Sequence, residues 1–246
     1  MTDAMIVTEG LSKNFNGLWA VRELDLKISR GEVFAFLGPN GAGKTTTIRL
    51  LTGLLRPTEG KAFIDGLNVH THYIDAKKRL GFIPDHPYLY EKLTGRDFLF
   101  FVGDLFKVPR KKQIERMEKY FVYFEFQNMA DNLIENFSHG MRQKLVFAAT
   151  MLHEPEVFVI DEPMVGLDPR SVKKVKTLLK ERALQGATVF LSTHSLAVAD
   201  EVADRIGIIN KGKLIFLGNV EELKMKLEHD GTLEELFLKL IEEESE

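Results

Sequence analysis

The chain has 246 residues, 44% of them hydrophobic and 28% charged, with a formal net charge of −3. That is enough apolar sequence for one large or two small domains, and the slight acidity excludes a protein that grips nucleic acid through excess Lys and Arg. The absence of cysteine excludes disulfides and thiolate chemistry and fits a reducing compartment.

The opening MTDAMIVTEG lacks the basic and apolar regions of a signal peptide. No apolar run reaches the ~20 residues that span a bilayer, so any link to a membrane is expected to run through a partner. In chain order, segments around Ile6–Glu9 and Leu24–Ile28 read as strands of a separate antiparallel layer. VFAFLG (33–38) is apolar throughout, as in a parallel strand buried on both faces, and TTTIRLLTGLL (45–55) reads as the following helix. His70 and His72 have no carboxylate or thiol companions nearby, so they read as a solvated loop and not as a metal pair.

Beyond Pro84 the pattern turns helical. Thr94-Gly95-Arg96-Asp97 has capping-box spacing, ahead of an apolar face at Phe98, Phe101, Val102, Leu105 and Phe106. A second helix carries Ile114, Met117, Phe121 and Phe124, and these aromatics are expected to pack within the protein. VFVID (157–161) and TVFLST (188–193) read as further buried parallel strands; SVKKVKTLLKERALQG (171–186) and SLAVADEVADR (195–205) read as helices. IGIINKGKLIFLG (206–218) reads as a hairpin turning at Asn210-Lys211-Gly212, and TLEELFLKLIEEESE (232–246) as an amphipathic helix fraying into acid. Strands alternating with helices define an α/β protein.

GPNGAGKT (38–45) satisfies G-x-x-x-x-G-K-[ST] between a strand and a helix, the context in which that pattern cradles phosphate. Gly38, Gly41 and Gly43 let backbone N–H groups turn onto a β-phosphate. Lys44 reaches the β- and γ-oxygens, and Thr45 offers a hydroxyl to Mg²⁺. The strand VFVID ends in Asp161, placed to hold Mg²⁺ through water, and Glu162, placed to polarise an attacking water. His194 follows a third apolar strand at the same carboxyl edge, where ligands of open α/β sheets bind, and is expected to contact the γ-phosphate. NFSHGMRQK (136–144) places Ser138 at a helix start with two basic side chains, an arrangement suited to an anion.

With these motifs in order, the chain resembles the ATP-binding subunits of ABC transporters over nearly its whole length. The resemblance implies a P-loop NTPase (RecA-like) α/β core with an N-terminal antiparallel β layer and an α-helical subdomain. It implies a nucleotide-binding domain over residues 5–235, with the helical subdomain at about 86–150, and a helical, acidic tail over 236–246. ATP and Mg²⁺ are the implied cofactors, with Pro39, Asn40, Ala42 and Thr46 completing the ATP loop and Phe15 stacking on adenine where most families have Tyr.

FSHGMRQ (137–143) is similar to the family's signature loop, with Ser138, His139, Gly140 and Met141 facing ATP held by the other subunit of a head-to-tail dimer. His139 and Met141 depart from the commonest LSGGQ form. VGLDP (165–169) is similar to the D-loop, with Asp168 crossing the dimer interface. FIPDHPYLY (82–90) is similar to the Q-loop, with Asp85, whose carboxylate can serve Mg²⁺, in place of Gln.

The neighbourhood of Tyr88, Leu89 and Tyr90 is where family members meet a coupling helix of the membrane subunit. The implied partners are therefore an integral-membrane permease and a second copy of this chain or a homologue. Nucleic acid and direct membrane insertion are not implied. The implied location is peripheral, at the cytoplasmic face of a membrane, and the combination of FSHGMRQK, STHS and TLEELFLKL looks most like the ABC-2 exporter group.

Two other readings stand beside this one. In a GTPase, Asn210-Lys211-Gly212-Lys213 would read guanine, but Lys213 cannot accept the guanine N–H donors as an Asp would. A soluble ABC-type ATPase acting mechanically on nucleic acid or ribosomes typically carries coiled-coil insertions or tandem cassettes, and neither is visible in the sequence.

Overall fold

A computed structural model describes residues 3–228 and 231–243. β1 (Ala4–Phe15) and β2 (Leu18–Ser29) form a hairpin turning at Asn16 and Gly17, both with left-handed φ, the pairing that two-residue hairpins favour. β4 (Glu59–Ile64) pairs with the free edge of β1, and the short β5 (Leu67–Asn68) with β4. All pairings in this sheet, ordered β2-β1-β4-β5, are antiparallel.

The second sheet contains β3 (Val33–Leu37), β6 (Leu80–Ile83), β7 (Val157–Asp161), β8 (Thr188–Thr193), β9 (Arg205–Asn210) and β10 (Lys213–Gly218). Its order is β10-β9-β3-β8-β7-β6, parallel except for β10. Every residue of β3, β7 and β8 is buried, which explains the apolar run in the middle of each.

Three apolar clusters fix the layers. The first lies between the two sheets around α1 (Lys44–Leu51) and α2 (Tyr73–Arg79); there Phe190 packs 5.7 Å from Phe34 and 5.3 Å from Phe36, ring centre to ring centre. The second joins the other face of the parallel sheet to α3 (Gly95–Leu105), α4 (Arg110–Phe124), α5 (His139–Met151) and α6 (Pro169–Leu184). The third holds α7 (Leu196–Val202), α8 (Val220–Leu227) and α9 (Leu233–Glu243) against Ala35, Leu37, Ile206 and Ile208. Burying one such side chain stabilises by about 1.5–3 kcal/mol.

Several sequence expectations shift. α1 stops at Leu51 and not at residue 55, because Gly53 takes φ 68° and the N–H groups of Leu54 and Leu55 both return to the Arg49 carbonyl, a helix-ending arrangement. α7 stops at Val202 because Asp204 is tied to β3, its carboxylate accepting from Val33 N at 2.8 Å.

In the helical layer Phe98, Met117, Phe121 and Phe124 are buried, whereas Phe101, Leu105 and Ile114 are exposed, so the expected internal packing holds for only part of those faces. At the C-terminus, Leu233, Leu236 and Leu240 are buried in the third cluster. A boundary at 236 therefore falls inside a packed helix, and the expected acidic fraying at 244–246 lies outside the described residues.

Candidate active site

The loop 38–43 leaves β3 and enters α1 between two backbones. A Cβ at Gly38 would overlap the Ile209 carbonyl, and one at Gly43, where φ is 116°, would overlap the Ala20 carbonyl. The β9–β10 turn clamps this loop: Gly212 N–H donates to Ala42 O at 2.9 Å, and Gly212 O accepts from Arg22 N at 2.8 Å. Lys213 thus belongs to a structural hairpin.

Lys44 Nζ donates to Gly38 O at 2.7 Å and Pro39 O at 3.2 Å. Burial pushes its pKa down, while Glu162 and Asp161 work against that shift. A cation held in a low-dielectric pocket opposite acidic groups is suited to binding a polyphosphate.

The strand order places four loops side by side along the carboxyl edge, those after β3, β8, β7 and β6. Asp161 ends β7 and accepts a short hydrogen bond from Ser192 Oγ on β8. Glu162 has left-handed φ (47°), a costly conformation for a non-glycine residue and one found where side chains are aimed for chemistry. Its Oε1 lies 2.9 Å from His194 Nδ1, and its Oε2 accepts from Thr193 Oγ1 at 3.3 Å. Asp85, beyond β6, has Oδ2 2.7 Å from His86 Nδ1.

These loops enclose a cavity of about 400 Å³ lined by Asn40, Gly41, Gly43, Lys44, Thr45, Thr46, Asp85, Asp161, Glu162 and His194, all expected site residues. Gly38 and Pro39 stand behind it through their carbonyls to Lys44. Ala42 is buried, with its carbonyl held by Gly212 N–H. Phe15 lies outside the lining, 46% exposed at the β1–β2 turn, with Lys13 Nζ 5.2 Å from its ring centre. The lining also includes Ala20, His86 and Val165, which sequence reasoning missed. His86 was accessible to it, since it adjoins Asp85 in a loop leaving the sheet at the same edge.

Ser138, His139, Gly140 and Met141 do not line the cavity. Ser138 caps α5, its Oγ accepting from Met141 N at 3.3 Å. Arg142 ties the loop to the preceding segment, donating to Glu91 Oε1 at 2.8 Å and Phe137 O at 3.2 Å. Asp168 caps α6 through Ser171 N at 2.9 Å and meets Lys144 Nζ at 3.3 Å. The Ser171 hydroxyl, then the Ser171 N–H and Lys144, hold the Asp168 carboxyl well below the usual carboxylate range.

The oxygen donors Thr45, Asp85 and Asp161 share one cavity. Among the described residues no three His, Cys, Asp or Glu side chains group to hold a metal alone. That donor set fits Mg²⁺, which takes one or two carboxylates and draws its remaining ligands from phosphate and water. His70 is partly buried and not fully solvated as expected, and burial lowers its pKa. A second, apolar cavity of about 370 Å³ opens between α2 and the helical layer, with Tyr88 almost fully exposed at its side.

A phosphate loop after a central strand of a parallel sheet, with an acidic pair ending the next strand but one, defines a P-loop NTPase. The ABC transporter family model matches residues 21–165, and the chain belongs to that family. It is 37% identical over 224 residues to the daunorubicin resistance ATP-binding protein DrrA3 of Streptomyces coeruleorubidus, covering 91% of this chain and 71% of that one. It is 35% identical over 212 residues to the bacitracin transport ATP-binding protein BcrA of Bacillus licheniformis, covering 86% and 68%. Among solved structures, an ATP binding subunit of an ABC transporter matches with a TM-score of 0.92 and 28% identity over 96% of this chain and 99% of that one. The chain is an ATP-binding and ATP-hydrolysing subunit of the family.

Proposed function

We propose that this subunit powers an ABC-2 type exporter, with its site residues dividing the work as follows. Lys44 and the N–H groups of loop 38–46 hold the β- and γ-phosphates of ATP, and Thr45, Asp161 and Asp85 hold Mg²⁺, which supplies charge neutralisation at the phosphates. Glu162 accepts the proton of the attacking water. His194 keeps the Glu162 carboxylate aimed and faces the γ-phosphate. Phe15 stacks on adenine.

Ser138 and Gly140 meet the phosphate of a second subunit, with Asp168 at the shared interface. ATP then joins two subunits head to tail, and hydrolysis releases them. The permease is a separate integral-membrane chain that receives this motion, with the subunit peripheral at the cytoplasmic face. No helix among the described residues is long and apolar enough to cross a membrane itself. Export is supported by the names of the daunorubicin and bacitracin relatives, and contact with a permease segment by the apolar cavity beside Tyr88.

The single observation that carries the reading is the convergence of Lys44, Asp161, Glu162 and His194 on one cavity that the signature residues do not line. It is tested on a sizing column. Glu162→Gln in ATP should shift from monomer to dimer, more fully at higher protein concentration, and adding Ser138→Arg should prevent the shift while ATP still binds. A double variant that dimerises as readily as Glu162→Gln would remove Ser138 from the interface.

A further inference from the structure

We propose that His139 is a positioning residue of this chain's own hydrolytic site, its imidazole acting as the rest on which the loop 162–168 is seated. The observations are geometric. A Cβ on Gly166 would overlap His139 Cδ2 and lie 2.9 Å from Nε2, so the imidazole occupies the space that only glycine leaves open at that position. Gly166 has φ 75°, and a Cβ on Gly140 would lie 2.8 Å from Gly166 O. The start of α5 and the loop are thus in direct contact at two successive residues.

The start and the middle of that loop bear on the site. Glu162 opens it with a strained left-handed backbone, Val165 lines the cavity, and Asp168 closes it, paired with Lys144 of α5. Two further loop bonds are long: Val165 N to Glu162 O and Leu167 N to Met164 O are both 3.3 Å. A segment held internally by weak bonds takes its position from what it rests on. His86, a cavity residue, lies near His139 with ring centres 6.2 Å apart. The imidazole is therefore close to two segments that line the cavity.

A glycine at 139, as in the commonest signature form, would leave this contact unmade. Displacements of about 1 Å in a general base cost up to about 100-fold in rate, so a side chain that fixes the loop from outside the cavity has leverage on turnover without touching nucleotide. The proposal rests on the hydrolytic role proposed for Glu162.

The test uses the full chain, with ATP as substrate and a fluorescent ATP analogue as binding probe. His139→Ala should lower kcat about tenfold while the Kd of the analogue for this chain's own cavity stays within about twofold, because His139 lies outside its lining. His139→Phe, which restores ring volume without nitrogens, should recover most of that loss.

In the same samples without nucleotide, amide hydrogen exchange over residues 164–168 should be faster in His139→Ala and near native in His139→Phe. Native kcat in His139→Ala, or a loss in His139→Phe equal to that in His139→Ala, would overturn the proposal. So would unchanged exchange in His139→Ala. A native protein that hydrolyses no ATP yet shows the exchange change would instead remove the hydrolytic reading and leave the seating of the loop in place.

Discussion

His194 Nδ1 lies 2.9 Å from Glu162 Oε1 across adjacent strand ends, joining two side chains that are 32 positions apart in the chain. The contact fixes one carboxylate oxygen, and Thr193 Oγ1 engages the other at 3.3 Å. Glu162 is thus oriented from both sides. If it is the base, Glu162→Gln should lower kcat by about 100-fold or more. His194→Ala should also lower kcat, and the double variant should be little worse than Glu162→Gln alone, since both substitutions remove one unit. Steady-state ATPase assays on the four proteins check this; fully additive losses would show that the residues act separately.

Lys44 is buried among carbonyls, with Glu162 and Asp161 as its acidic neighbours. Lys44→Ala should abolish measurable hydrolysis and weaken ATP binding by about tenfold or more, the loss expected for a charge-assisted phosphate contact. Titration with a fluorescent ATP analogue reads the affinity. Near-normal turnover in this variant would place the working site elsewhere.

Asp85 stands at the cavity edge with His86 as its partner. If its carboxylate serves Mg²⁺, Asp85→Gln should leave ATP affinity within about twofold and raise the Mg²⁺ concentration needed for half-maximal turnover, because amides are weaker ligands for hard cations. An unchanged Mg²⁺ titration and rate would make Asp85 a loop residue with no metal role.

His153 predicts a pH dependence of stability. Its ring stacks on Phe106 at 3.8 Å between centres, Nε2 lies 3.2 Å from Leu80 O, and burial holds its pKa down at about 4. With the unfolded value near 6.5, the unfolded chain takes up a proton first as pH falls. The stability present above pH 6.5 is therefore lost progressively down to about pH 4, by on the order of 2–3 kcal/mol. His153→Phe keeps the stack and removes the titration, so its stability should decline less between pH 6.5 and 4.5 in urea unfolding. Identical declines would assign the pH dependence to other groups.

What the sequence by itself determined is what short spacing encodes. The phosphate loop is legible because eight consecutive residues must supply its glycines, lysine and threonine. The buried strands are legible because a strand covered on both faces is apolar through its middle, with polar residues at its ends, where Asp161 falls. The α5 cap at Ser138 and the β9–β10 turn are likewise local.

Tertiary structure decided everything that depends on which strands become neighbours. The order β3-β8-β7-β6 brings Lys44, His194, Glu162 and Asp85 to one edge, and no periodicity in the chain records that order. The seating of Gly166 under His139, the clamp of Gly212 on Ala42 and the burial of Leu236 and Leu240 are contacts between distant segments. Each arises from packing the two sheets and the helical layer so that apolar faces leave water, and only then do backbones come close enough to require glycine at 38 and 43, and the His139 ring close enough to require it at 166.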